Sequence, residues 1–339
     1  MNTTAAVTVL MPVRNAAATL DACLDSIQAQ SFRDFELLVV DDASSDDSCS
    51  LVAARMQSDT RIRLLDAPRR GLVACLNEGL ARARAPLIAR MDGDDLMDVD
   101  RLAAQHAYLH RHRDVDVVAS RVSAFPDDRL QAGMKEYLRW QNACVDSAAL
   151  RDEIYVECPI THPSVMFRRA TVVDDGGYCD GDFPEDYELW LRLTENGRRL
   201  AKVERCLLHW RQHDDSLSRR DPRYSRDAFD RLRARYLARD ARLSSDRPLV
   251  FWGAGRRTRR RTTHLIARGF APCAWIDVDP RKIGNFLEDT PVVAPHWLRG
   301  QQPRPFVLTW VASHGARENI AAALASMDYR RGTDYLAVG

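Results

Sequence analysis

The stretch VTVLMPVRNAAATLDACLDSIQAQSFRDFELLVVDDASSDDS, residues 7–48, decides the fold class. VTVLM (7–11) is mostly apolar and reads as a buried strand. In AATLDACLDSIQAQ (17–30), Leu20, Cys23, Leu24 and Ile27 recur at helical spacing. FELLVV (35–40) is a second buried strand and runs straight into DDASSDDS. Ser44 or Ser45 is expected to cap the next helix, which carries Leu51, Val52 and Met56.

The rhythm continues outward. IRLL (62–65) reads as a third strand, GLVACLNEGLARARA (71–85) as a helix and PLIAR (86–90) as a fourth strand. Such alternation predicts a mostly parallel sheet with helices on both faces. Ligands of such sheets bind beyond the carboxyl ends of the strands. Both acidic clusters fall there: Asp41 and Asp42 after the second strand, and Asp92, Asp94 and Asp95 after the fourth, in RMDGDDL. Carboxylates crowded at a strand end repel one another unless a cation joins them. A hard divalent ion such as Mg²⁺ or Mn²⁺ takes carboxylate oxygen and shares its coordination with substrate phosphates. A solvated acidic loop is the other source of a D-x-D.

The 339 residues exceed one typical domain, so two are expected. Net charge is +1, which argues against nucleic acid as the main partner. All but three of the 49 basic residues are arginine, a feature of composition rather than mechanism. No apolar run reaches the roughly 18–20 residues of a membrane helix. The N-terminus reads as neither signal peptide nor anchor. Eight scattered cysteines without a C-x-x-C pair suit a reducing cytoplasm and give no zinc pattern. The regular rhythm ends near residue 120. Residues 218–247 are highly charged and read as a solvated helix plus linker. PLVFWGAG (248–255) then opens a second α/β segment, with CAWIDVDP (273–280) as its next strand.

Five blocks, in order, resemble the family 2 glycosyltransferases of the GT-A fold. They are residues 7–48, GLVACLNEGLARARAPLIARMDGDDL (71–96), THPSVMFRR (161–169), GGYCDGDFPEDYELWLRL (176–193) and HWRQHDDSLS (209–218). The resemblance spans about residues 5–220. It implies a nucleotide-sugar-binding domain at 1–220, a mixed and mostly parallel sheet covered by helices, and an inverting, hexosyltransferase-type reaction. It further implies that Pro12, Val13, Arg14 and Asn15 shape the nucleotide pocket. Asp42 accepts a hydrogen bond from the base, typically uracil, while Asp41 braces the turn. Asp94 is the expected Mn²⁺ or Mg²⁺ ligand, Asp92 contacts ribose or the metal through water, and Asp95 orients its neighbours. Asp186 is the expected general base with Glu185 in support. His213 lies near the diphosphate as a metal or phosphate ligand, and Arg211 clamps the diphosphate. His162 is either a donor or acceptor contact or a core histidine. The sequence departs from the family pattern at Arg14, often aromatic there, and around Gly71, which leaves donor specificity less determined than reaction type.

Read without the resemblance, FPEDYELWLRL gives a helix whose apolar stripe is Leu189, Trp190 and Leu193, with Pro184 in its first turn. Glu185 and Asp186 then stand at a helix N-terminus, where the dipole favours the ionised form. A plain acidic first turn would look the same.

After a charged helix and linker at 221–247, residues 248–339 resemble small Rossmann-like domains. Gly253-x-Gly255 follows a strand, Thr258 stands at the third glycine position, and Asp277 falls near the ribose-binding acid, roughly 20 residues on. Arg256, Arg257, Arg259, Arg260 and Arg261 form either an anion-attracting patch or a solvated helix face. The expected partners are thus a nucleotide-sugar donor and a glycan or lipid-linked acceptor in polysaccharide or glycoconjugate assembly. The expected location is cytoplasmic, with peripheral membrane contact implied by such acceptors. Oligomeric state is open. A glycosyltransferase-like binding subunit without turnover, and an NAD-dependent activity of the C-terminal domain, are the alternatives. Keeping Asp42, Asp92, Asp94 and Asp186 together counts against the first. The incomplete fingerprint and the lack of a Tyr-x-x-x-Lys spacing count against the second.

Overall fold

The computed structural model describes residues 5–67, 70–243, 247–311 and 315–339. Residues 1–4 of the N-terminal reading and 244–246 of the expected linker lie outside them. The chain divides into two compact units, one of Met1–Leu150, Pro159–Gly181 and Glu185–Arg220, the other of Arg151–Cys158, Asp182–Pro184 and Asp221–Gly339.

The first unit is built on an eight-stranded sheet. Its elements begin β1 (Val7–Val13), α1 (Ala17–Gln28), β2 (Phe35–Asp42), α2 (Ser48–Ser58), β3 (Ile62–Ala67), α3 (Leu72–Arg82), β4 (Leu87–Arg90), β5 (Leu96–Met97) and α4 (Arg101–Arg111). They continue with β6 (Val117–Phe125), α5 (Ala132–Ala143), α6 (Ser147–Glu153), β7 (Met166–Arg168), α7 (Arg169–Asp174), α8 (Glu185–Glu195), β8 (Leu200–Arg211) and α9 (Leu217–Arg220). The strand order is β3-β2-β1-β4-β7-β6-β8-β5. β3, β2, β1 and β4 run parallel, β7 is antiparallel between β4 and β6, and β5 is antiparallel to β8. The expected mixed, mostly parallel sheet is therefore present.

Local chemistry explains the elements. β1 and β2 are buried along their whole length, as the mostly apolar strands of a parallel sheet covered on both faces are. α1 buries Leu20, Cys23, Leu24 and Ile27, the four residues picked out by spacing. Glu36, on β2, is buried because it is fully engaged: it accepts from the Thr8 hydroxyl at 2.7 Å and the Arg84 amide at 2.7 Å, and pairs with Arg63 at 2.8 Å. α3 lies against β1 so closely that a Cβ on Gly79 would overlap the Leu10 side chain, itself completely buried. Gly79→Ala is therefore expected to destabilise by about 1–3 kcal/mol despite alanine's better helix propensity. A urea melt of the full chain, showing a lower midpoint at unchanged slope, checks this.

Two expectations about helices need correction. Ser44 and Ser45 do not cap α2, which starts at Ser48 behind Asp47. Their groups are claimed elsewhere: Ser44 bonds Asp41, and Ser45 bonds the Asn15 side chain. Pro184 immediately precedes α8 rather than sitting in its first turn. α8 also buries Tyr187, Glu188 and Leu191 beside its expected stripe, so it is a core helix and not a one-sided surface helix. Buried Glu188 is matched by Arg192 at 3.0 Å.

The second unit contains α10 (Arg226–Leu237), β9 (Leu249–Trp252), α11 (Arg256–Ile266), β10 (Ala274–Ile276), β11 (Phe286–Leu287), β12 (Thr290–Val293), β13 (Phe306–Thr309), α12 (Ala316–Ala325) and β14 (Tyr335–Ala337). The sheet order is β11-β12-β10-β9-β13-β14, parallel except for β11. This is the second, smaller α/β sheet expected. α10, expected as a solvated helix, in fact buries Ala228, Leu232, Tyr236 and Leu237. Its charge pattern misled because Asp230 and Arg233 are buried too, paired with each other, and Arg261 of α11 reaches Asp230 at 3.0 Å.

Candidate active site

The carboxyl ends of β1, β2 and β4 lie side by side in the sheet, so the loops that leave them meet. Pro12 and Val13 close β1 and are buried, while Arg14 and Asn15 are exposed beyond it. Asn15 takes a left-handed φ of 50°, which asparagine tolerates. Its side-chain oxygen accepts from the Ser45 amide at 2.8 Å, and its own amide donates to the Ser44 hydroxyl at 2.9 Å. Ser48 and Asp46 accept the Ala16 and Ala17 amides at the start of α1. The loop after β2 thus caps the helix after β1 and fixes the two loops together.

Asp41 is fully engaged by Ser44, both by its amide and its hydroxyl. Asp42 is buried, with one oxygen accepting the Arg70 and Gly71 amides at 2.8 and 3.0 Å. Its other oxygen lies 4.0 Å from Arg14. Next to it a cleft of about 470 Å³ opens between β3 and α3, lined by Leu65, Asp66, Arg70, Cys75 and Glu78 among others. Burial and the Asp42 charge push the Cys75 thiol up to about 12, so it stays neutral there.

Asp92, Asp94 and Asp95 converge after β4. One oxygen from each lies within 4.8 Å of the other two. That spread suits an octahedral cation with metal–oxygen bonds of about 2.1 Å. Asp95 is completely buried; one oxygen accepts the Arg211 amide at 2.7 Å, and the other has no hydrogen-bond partner among the described residues. Burial first, then the charges of Asp92 and Asp94, raise its pKa. A cation would relieve both effects, so the donor set fits one. β8 delivers two further groups. His213 Nε2 stands 2.8 Å from Asp94 Oδ2. Arg211 donates Nε to the Asp94 carbonyl at 2.7 Å and lies over the Phe125 ring at 4.6 Å. The predicted Asp92, Asp94, His213 and Arg211 are therefore brought to one place.

Glu185 and Asp186 open α8. Glu185 is buried, and Asp186 remains half-buried with access to solvent. The helix-end expectation for Asp186 is outweighed. Its carboxylate does accept the Tyr187 amide at 2.7 Å, which favours the charge. Burial and the neighbouring charge of Glu185 oppose it more strongly and push Asp186 up to about 7.

His162 sits in the core. It is buried, 2.9 Å from the Tyr178 hydroxyl, edge-on to Trp190 and 3.7 Å from Glu185. Burial and the charge of Arg90 push it down to about 4, so it is neutral. Arg90 and Tyr178 were missed from the sequence. The only signal for Arg90 was a single arginine ending an apolar strand.

In the second unit, Asp277 does not present a free carboxylate. It accepts the Ala254 amide at 3.1 Å, the Asp279 amide at 3.0 Å and Lys282 at 2.9 Å, closing the glycine turn itself. This weakens the dinucleotide reading. Arg256, Arg257, Arg259 and Arg260 are exposed, the solvated-face pattern. Among the described residues no helix is long and apolar enough to cross a membrane.

The family model described as glycosyl transferase family 2 matches residues 8–177. The putative glycosyltransferase EpsE of Bacillus subtilis is 31% identical, covering 67% of this chain and 80% of its own length. The O-antigen biosynthesis glycosyltransferase WbnJ of Escherichia coli is 28% identical, covering 62% of this chain and 81% of its own. By contrast, the match spans 63% of this chain but only 32% of the length of the bifunctional glycosyltransferase pgtA of Dictyostelium discoideum, at 27% identity. Among solved structures, that of S. aureus TarS 1–349 in complex with UDP-GlcNAc is similar in fold, with a TM-score of 0.52 at 16% identity over 78% of this chain and 72% of that one.

Proposed function

The chain belongs to glycosyl transferase family 2, related to enzymes of polysaccharide biosynthesis, and on that premise we propose that it is a metal-dependent inverting transferase of UDP-activated sugars. The observation that carries this reading is the convergence of Asp92, Asp94 and Asp95 at the end of β4, joined by His213. In this reading the uracil lies by Asp42 and the cleft beside Arg70, and Pro12 to Asn15 form the adjoining wall. The UDP-GlcNAc of the TarS structure supports a uridine nucleotide as the first to try.

Asp186 takes the proton of the acceptor hydroxyl as its oxygen attacks the anomeric carbon. The bond from that carbon to the diphosphate breaks on the opposite face, and its electrons leave with the phosphate oxygen. Inversion follows from this single displacement. Arg211 is fixed by Phe125 and the Asp94 carbonyl, and in this reading it clamps the leaving diphosphate. A divalent cation, Mn²⁺ or Mg²⁺, held by Asp94 with Asp92, Asp95 or His213, would neutralise that diphosphate. Glu185 supports the base through its charge. The acceptor in this reading is a glycan or a lipid-linked saccharide at the inner face of a bacterial membrane, reached by a cytoplasmic enzyme in peripheral contact.

The test is release of nucleotide from a panel of UDP-, GDP- and dTDP-sugars with Mn²⁺ and with EDTA, followed by proton NMR of any product. Metal-dependent turnover of a UDP-sugar with an inverted anomeric centre is expected. A retained configuration, or no turnover of any nucleotide sugar, contradicts the proposal.

A further inference from the structure

Arg90 takes no part in the reaction as written above, yet it is the most unusual charge in the first unit. It ends β4, and its side chain is 3% exposed. Nη1 rests against Asp92 Oδ2. Nε has no hydrogen-bond acceptor among the described residues. Its charge also acts on Glu185, Asp186, Tyr178 and His162. A cation is rarely buried with unfilled donors unless fixed negative charge surrounds it.

The backbone of Arg90 accounts for its structural duties. Its amide donates to Val165, and its carbonyl accepts from Arg101 at 2.8 Å. Neither bond uses the guanidinium. Its neighbour Arg101, bonded to the Arg90 carbonyl, is also cationic, but that charge acts on Asp95; the groups on the Glu185 side supply no positive charge. His162 is neutral, and the Tyr178 hydroxyl is held un-ionised by burial.

We propose that Arg90 is a positioning residue for the transfer reaction: a fixed buried cation between Asp92 and the Glu185–Asp186 pair, holding the Asp92 carboxylate in place and offsetting the negative charge of both groups. This rests on the transferase reading. It explains how two clusters of carboxylates share one pocket. Asp92 is steadied on the donor side, and the base on the acceptor side works in a field that Arg90 keeps from becoming strongly negative. Tyr178 and His162, bonded to each other at 2.9 Å, brace the far wall of the same cluster.

The experiment compares the full-length wild type with Arg90→Lys and Arg90→Gln. Circular dichroism and a thermal melt establish folding. Turnover of the best UDP-sugar is then measured from pH 5.5 to 9, with donor KM and kcat separated. Arg90→Gln is expected to lose roughly 10²-fold in kcat, the scale for a misplaced reacting group. Without the cation the pKa of Asp186 rises, so the acid limb moves to higher pH. Arg90→Lys keeps the charge and is expected to recover at least tenfold over Arg90→Gln, with its acid limb near that of the wild type. Equal rates for the two folded variants, or an acid limb unmoved in Arg90→Gln, overturn the proposal. So does an Arg90→Gln that cannot fold while Arg90→Lys folds with wild-type kinetics, because the charge would then serve stability alone; loss of folding in both has the same meaning. A wild type inactive with every nucleotide sugar sinks the transferase reading itself, whereas an active wild type with an indifferent Arg90 sinks only this inference.

Discussion

Asp186→Asn is expected to lower kcat by roughly 10³-fold while leaving UDP binding nearly unchanged. The amide is close in shape and can still accept the Tyr187 amide, so α8 keeps its start. It cannot take a proton. Asp42, Asp92 and Asp94, the proposed donor groups, belong to other elements and remain. The wild-type pH profile carries the same signature. Because burial and Glu185 raise Asp186 to about 7, the base is protonated below that pH, and kcat should fall with one acid limb there. The sign for stability is opposite. A carboxyl whose folded pKa lies above its unfolded value favours the fold at low pH, and that contribution is lost as pH rises through about 7. Its ionised form is therefore a burden above pH 7, and Asp186→Asn should melt higher than wild type at pH 8.5. Contact with solvent keeps this gain small. Kinetics from pH 5.5 to 8, UDP titrations of both proteins, and melts at pH 6 and 8.5 read these effects. A variant within tenfold of wild type, or a wild-type rate flat from pH 5.5 to 8, speaks against Asp186 as the base.

Asp94→Ala is expected to remove metal-dependent stabilisation together with turnover. Asp94 is the residue where the donor-side contacts meet: its carboxylate faces His213, its carbonyl holds Arg211, and its neighbours Asp92 and Asp95 complete the oxygen set. Alanine keeps the carbonyl and so the Arg211 contact, but removes the oxygen. In wild type, saturating Mn²⁺ should raise the melting temperature by mass action. In Asp94→Ala that rise should vanish, while the metal-free melting temperature stays equal or increases, because one of three crowded like charges has gone. Turnover should fall by roughly 10³-fold or more, since several kcal/mol of leaving-group stabilisation disappear. A variant still raised by Mn²⁺ as wild type is would place the cation elsewhere.

The parts legible in the sequence were those governed by local periodicity. Leu20, Cys23, Leu24 and Ile27 announced α1 because one face of a helix must meet a core, and the runs at β1 and β2 announced buried strands. The illegible parts depend on partners distant in the chain. β7 enters the sheet between β4 and β6, and the short β5 pairs with β8, although neither three nor two residues carry a readable pattern. Ser44 has the chemistry of a cap, but Asp41 and Asn15 compete for it more closely. α10 looks solvated only because a string of arginines gives no hint that Asp230 will pair with both Arg233 and Arg261 in the interior. Arg90 and His162 share that reason. A buried polar group is placed by the groups around it, and these come from separate segments of the chain.

The most direct test of the central claim is a calorimetric titration of the protein with UDP, with and without Mn²⁺, on wild type and Asp94→Ala. Binding by wild type that strengthens roughly 10²-fold with Mn²⁺, and an Asp94→Ala variant that shows no such gain, is the predicted result. Binding of UDP that is indifferent to Mn²⁺ in wild type, or equally metal-dependent in Asp94→Ala, would contradict the account.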